Sequence, residues 1–259
     1  MEARKKKITV QVGCRSEWHA LEKALNPEAA LMPQDLGPFS QYHIAELGGA
    51  QLIFFQGGPS KAVAAAACQH ALTTYTPDLH IMMGTCGGVS GLAPHGGVLY
   101  AHQAAQYDCI DRLCESNDFF YAAFDVHIDN RWIREVLEAR GLVGGTIATA
   151  DQDIDYTVRK TLMAHGADVA DWESAAAALV CHYNKVPILI LRGVSDIPEE
   201  SLSQEDQAES FLQTTPEIMG ALAKLLPVIA EQLSKKTVLQ NTRIPLYARP
   251  FHVFPIESC

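Results

Sequence analysis

At 259 residues, 48% of them hydrophobic and 19% charged, the chain is long enough to bury a core of its own and is unlike a disordered polymer. A formal net charge of -10 argues against nucleic acid or an anionic membrane as partner, because both are bound through clustered Lys and Arg, and leaves small uncharged or cationic ligands open. No stretch approaches the roughly 20 apolar residues that a membrane helix needs.

The first predicted strand is Ile8–Val12, which follows Lys5-Lys6-Lys7 and is too short for the apolar core of a signal peptide. Gln51–Phe55 is the next strand, and Ser60–Tyr75 is an Ala-rich helix with Ser60 as its cap. His80–Met83 reads as a strand that ends in a Gly-rich turn. Gly97–Ala101 and Gly145–Ala148 add two strands, Ser174–Tyr183 a helix, and Val186–Leu191 a further strand. Pro216–Leu233 carries a helical Leu/Ile/Met stripe, with Pro216 in its first turn and Pro227 as a kink. This alternation predicts an α/β fold, a central mixed and twisted sheet flanked by helices, in a single domain over 1–234. From 235 to 259 the character changes: Pro245, Pro250 and Pro255 stand among aromatics, which predicts an extended arm packed on this subunit or a neighbour.

Seven cysteines, an odd number lying mostly in apolar runs, fit reduced thiols in the cytosol better than a disulfide framework. There is no CxxC, and Cys109 and Cys114 lack companion ligands, so neither a metal nor a cofactor is expected.

Three segments carry the chemistry. Met83-Gly84-Thr85-Cys86-Gly87-Gly88-Val89 closes an apolar strand with glycines that admit a ligand to the backbone, although such a turn is more often only a turn. Its spacing is not the GxGxxG of a dinucleotide site. Ala170-Asp171-Trp172-Glu173-Ser174-Ala175-Ala176 places acids before an apolar helix, where acids also serve the helix dipole. Leu191-Arg192-Gly193-Val194-Ser195-Asp196 brings Arg192 and Asp196 out at the end of a strand, where open α/β sheets bind ligands and where surface ion pairs also occur.

In this order and spacing the three segments, with Gly57-Gly58-Pro59-Ser60-Lys61-Ala62 upstream, resemble the nucleoside phosphorylase and nucleosidase superfamily. Within it the chain looks most like the 5'-methylthioadenosine/S-adenosylhomocysteine nucleosidases, from about Ile8 to Leu233. The resemblance implies that Asp196, paired with Ser195, protonates N7 of a departing purine while the ribose becomes cationic. It implies that Glu173 holds the ribose hydroxyls, that Thr85, Cys86 and Gly87 line the sugar, and that Arg192 orients the carboxylates and the nucleophile. Glu17, four residues before Leu21, matches the base that activates water, one residue nearer its glycine than is usual in the family.

Asp153, followed by Ile154, stands where the family places an aromatic over the base. A carboxylate accepts a hydrogen bond from a 6-amino group and repels a 6-oxo group, which favours adenine. Trp172 or Phe211 would then supply the aromatic contact. Phe119, Phe120, Tyr121 and Phe124 fall in the segment that shapes the 5' pocket, partly across the expected homodimer interface. Phosphorolysis is the nearest alternative, with Gly13 and Arg15 as the only candidates for phosphate. A nucleoside-binding module without catalysis is the alternative of another class. A Ser or Cys hydrolase is weaker still, since Cys14 and Cys86 lack an evident His partner and the sequence has no GxSxG elbow.

Overall fold

The computed structural model describes residues 4–25, 32–35, 41–109 and 125–236. They are organised by one ten-stranded mixed sheet. Strand β1 (Lys6–Val12) lies between β4 (Ala50–Gln56) and β5 (Leu79–Gly88), parallel to both. Strands β3 (Gln41–Leu47) and β2 (Met32–Asp35) extend the β4 edge antiparallel. On the other side β5 runs parallel to β10 (Ile188–Asp196), which pairs antiparallel with β6 (Val98–Gln106). Strand β6 is parallel to β8 (Val143–Thr149), β8 to β9 (Val169–Asp171), and β9 returns antiparallel onto Gly87 and Gly88 at the end of β5. Five strands thus close into a ring, to which β7 (Val126–His127) adds a short pairing with β6.

Period-two alternation sorts the strands' side chains onto two faces. Ile8, Val10 and Val12 of β1, Ile81 and Met83 of β5, and Leu189 and Leu191 of β10 pack with α1 (Arg15–Leu25), α6 (Gln204–Ala223) and α7 (Leu226–Lys235). Met82, Ile188, Ile190 and Val194 pack with α2 (Lys61–Tyr75) and α5 (Ser174–Asn184) on the opposite face. Those two helices present Cys68, Ala175, Ala177, Ala178 and Cys181 to the sheet, and such small side chains let helix backbones lie close to strands. Between β7 and β9 lie α3 (Arg134–Glu138) and α4 (Tyr156–Ala164), the latter seated through Leu162.

The Ser60 hydroxyl accepts the Val63 N–H at 3.4 Å, so α2 begins where its cap predicts. The C-terminal helix differs from expectation. Where the apolar stripe predicts one helix over Pro216–Leu233, there are two. Helix α6 starts behind a reciprocal cap, in which the Ser203 hydroxyl accepts the Asp206 N–H and the Asp206 carboxylate accepts the Ser203 N–H, and it runs on through Pro216. Pro216 forgoes only the bond to the carbonyl four residues back. Pro227 sits in the first turn of α7, where a missing N–H costs nothing, and so begins a helix instead of kinking one.

Two strands outrun their predicted ends. The Gly-rich segment is not a turn but the second half of β5, and β10 continues through Arg192 to Asp196 with a register shift after Val194. Strands β2, β3, β7 and β9 were not signalled by the pattern; β7 and β9 have two and three residues, too few for a period to show. Phe119, Phe120, Tyr121 and Phe124, and the arm beyond residue 236, lie outside the described residues.

Candidate active site

The end of β1 turns at Gly13 into α1, whose first turn carries Glu17 inward to 3% exposure. Its Oε2 accepts the Cys14 N–H at 2.9 Å, and its Oε1 accepts both the N–H and the hydroxyl of Thr85, at 2.6 and 2.7 Å. The Thr85 donors expected to face a sugar are therefore spent on this carboxylate. Glycines make the approach feasible: a Cβ on Gly84 would lie 2.5 Å from Arg192 Nη1 and 2.6 Å from Glu17 Oε1, and one on Gly13 would lie 3.2 Å from Glu173 Oε1.

Arg192, fully buried on the α5 face of β10, gathers the second acidic group. Its Nη2 lies 2.5 Å from Asp171 Oδ2 and 3.2 Å from Glu173 Oε2. Nε and Nη2 also donate to the Ser174 hydroxyl at 3.0 and 2.9 Å, and Nη1 to the Thr85 carbonyl at 3.3 Å. Asp171 is held in turn by the Thr149 hydroxyl at 2.6 Å and the Ser174 N–H at 3.0 Å. Three buried carboxyl groups thus surround one guanidinium. Burial works against the charge of Arg192, and Asp171, Glu173 and Glu17 outweigh it and raise its pKa. Burial pushes Glu173 up to about 8; Arg192 pulls it down, while Asp171 and Glu17 push it further up.

Asp196 ends β10. Its Oδ1 accepts the Ser195 hydroxyl at 2.8 Å, and burial raises its carboxyl above the usual range, with the neighbouring charge of Asp153 acting in the same direction. The strand end is tied to α6 through the Ser195 carbonyl, which accepts the Ser210 hydroxyl at 2.8 Å and lies 2.9 Å from His95 Nε2.

These groups open onto one cavity of about 660 Å³. Glu17, Thr85, Cys86, Gly87, Glu173, Ser195 and Asp196 line it, as do Asp153, Ile154, Trp172 and Phe211. Arg192 does not, because it lies behind the wall with its donors turned to protein oxygens. Six carboxyl residues face the cavity, namely Glu17, Asp153, Asp155, Asp171, Glu173 and Asp196, and among the described residues no Lys, Arg or His does. Arg15 is exposed and is not part of the lining. Burial pushes the Cys14 thiol up to about 11 and raises Cys86 as well, which keeps both as poor nucleophiles.

Sequence reasoning passed over Asp171 and Ser174, read there as helix-start chemistry. Asp171 does serve the start of α5, and it binds Arg192 with the same carboxylate. Gln204 and Gln207, also on the cavity wall, stand at the start of α6, which the Ser203-x-x-Asp206 cap would have located.

The sequence profile of the phosphorylase superfamily matches residues 7–230. The chain belongs to that superfamily. Among its relatives there, a 5'-methylthioadenosine/S-adenosylhomocysteine nucleosidase of Tolumonas auensis is 28% identical over 226 residues, covering 78% of this chain and 97% of that protein. The fold is shared with a Helicobacter pylori nucleosidase of the same name, solved with butyl-thio-DADMe-Immucillin-A, at a TM-score of 0.74 and 18% identity over 89% of this chain and all of that one. A futalosine hydrolase from the same organism superposes with a TM-score of 0.71 at 19% identity, covering 88% of this chain and 97% of that one.

Proposed function

We propose that this superfamily member hydrolyses the N-glycosidic bond of an adenine nucleoside bearing a 5'-thio substituent, the class that includes 5'-methylthioadenosine and S-adenosylhomocysteine. One observation carries the choice of water over phosphate: six carboxyl residues and no cationic side chain face the cavity among the described residues. A phosphate dianion placed there would meet the carboxylates that remain charged with no cationic side chain in the lining to offset them, whereas a ribose acquiring positive charge would be stabilised. The Tolumonas auensis relative, a nucleosidase by name, supports the same reading.

Asp196 is the general acid of this proposal. Its raised pKa keeps a proton available, Ser195 fixes one oxygen, and the other delivers hydrogen to N7 of the purine. Glu17 is the base that takes a proton from water. Thr85 holds Oε1 through two hydrogen bonds and Cys14 holds Oε2 through one, so Oε2 keeps a lone pair for a further partner. Glu173, anchored by Arg192, binds the ribose hydroxyls. Arg192 is a positioning residue, since the atoms it touches are those of Glu173, Asp171, Ser174 and Thr85. Thr85, Cys86 and Gly87 flank the sugar, Asp153 accepts the 6-amino group, and Ile154, Trp172 and Phe211 enclose the base. The full chain works as a cytosolic homodimer in this reading, with 1–234 as its catalytic domain.

A panel of nucleosides with adenine, hypoxanthine or guanine as base, and hydroxyl, methylthio or homocysteinyl at the 5' carbon, tests the substrate class by kcat/KM. Preference for adenine with a 5'-thio group is expected, and equal or better turnover of 6-oxopurines would overturn the role given to Asp153.

A further inference from the structure

On the α2/α5 face of the sheet, away from the cavity, three side chains that the mechanism does not use meet at full burial. Cys68 of α2, His80 of β5 and Cys181 of α5 are each 0% exposed, and their ligating atoms all lie within 4.8 Å of one another. The Cys68 and Cys181 sulfurs are 3.7 Å apart, and Cys68 Sγ is 3.7 Å from His80 Nε2. Bonds of about 2.3 Å to sulfur and about 2.0 Å to nitrogen, opened to tetrahedral or trigonal angles, separate such donors by about 3.5–4.0 Å. The two separations from Cys68 therefore match donors arranged around a shared ion, and the third donor pair lies within 4.8 Å.

The imidazole is oriented as a ligand would be. His80 Nδ1 lies 2.9 Å from the Thr9 hydroxyl on the neighbouring strand, which leaves Nε2 facing the sulfur pair. Metal-binding histidines use the second ring nitrogen in this way. Strand alternation produces the arrangement: Ile81 and Met83 turn to the α6 face, so His80 turns to the α2 face, where Cys68 and Cys181 descend from two helices. Sequence separations of 12 and 113 residues from Cys68 leave no motif to read.

We propose that Cys68, His80 and Cys181 form a three-donor site for a thiophilic d10 cation, Cu(I) in preference to Zn(II), that ties α2 and α5 to β5. Two sulfurs and one imidazole are soft donors suited to Cu(I). Zn(II) in a structural site takes four ligands, and among the described residues no fourth His, Cys, Asp or Glu joins the group. The site is closed to solvent, so the ion enters as the chain folds or during local opening.

The full chain is expressed in copper-supplemented medium and purified without oxygen, and metal per chain is read by native mass spectrometry and the ligand shell by X-ray absorption. One copper with two sulfurs and one nitrogen is expected, falling below one tenth of an equivalent in Cys181→Ala and in His80→Phe. Retention of copper by both variants would show that other thiols bind it and would overturn the proposal. So would an all-sulfur shell, copper-free wild type, or a Cys68–Cys181 disulfide seen as a mass lower by about two hydrogens. Full zinc occupancy after growth with equal zinc and copper overturns the preference for Cu(I). Should the variants fail to fold, the wild-type ligand shell alone decides.

Discussion

Glu173 lies 3.2 Å from a buried guanidinium, yet burial pushes its carboxyl up to about 8, because Asp171 and Glu17 already share that guanidinium's charge. A group that holds its proton more tightly in the folded chain than in the unfolded one adds stability below its ordinary 4.5 and loses it as the pH climbs through about 8. Glu173→Gln, uncharged throughout, is expected to flatten the fall of Tm with pH across that window; parallel curves for variant and wild type would contradict the assignment. Asp196 is raised in the same direction, and as the acid it must carry its proton. The alkaline limb of kcat/KM is therefore expected to follow loss of that proton. Asp196→Asn is expected to cost about 10²- to 10⁴-fold in kcat with the fold intact. Adenine release within fivefold of wild type would remove Asp196 from the chemistry.

The paired strands β5 and β10 set Arg192 opposite Gly84 and Gly193 opposite Thr85, and Gly84 gives Arg192 and Glu17 room to meet over the sheet. Gly84→Ala puts a methyl group against both Arg192 and Glu17, and is expected to cost about 1–3 kcal/mol of stability together with much of the activity. An unchanged urea midpoint would show the contact to be slack. The same strands mark how far the sequence could be read. Period and composition revealed where β1, β4, β5 and β10 begin, and Ser60 revealed α2. Gly84, read as part of a turn, proved to be clearance for buried charge, since pattern alone cannot tell a residue that bends a chain from one that makes space. Pro216 misplaced the start of α6 because an apolar stripe outweighed the Ser203 cap. Asp171 was legible as a capping residue, but its bond to Arg192 joins segments that only the closed ring of strands brings together.

Across the whole molecule, the ring formed by β5, β10, β6, β8 and β9 draws side chains from separate segments to one cavity. Carboxyl groups from α1, β10 and the start of α5 then face it without an opposing cation among the described residues. That imbalance suits a sugar turning cationic and disfavours an anionic cosubstrate. Release of adenine from 5'-methylthioadenosine by the full chain in phosphate-free buffer is the most direct test. Turnover that is complete without phosphate and unchanged by its addition, with free methylthioribose as product, is predicted; turnover that requires phosphate and yields a sugar 1-phosphate would contradict it.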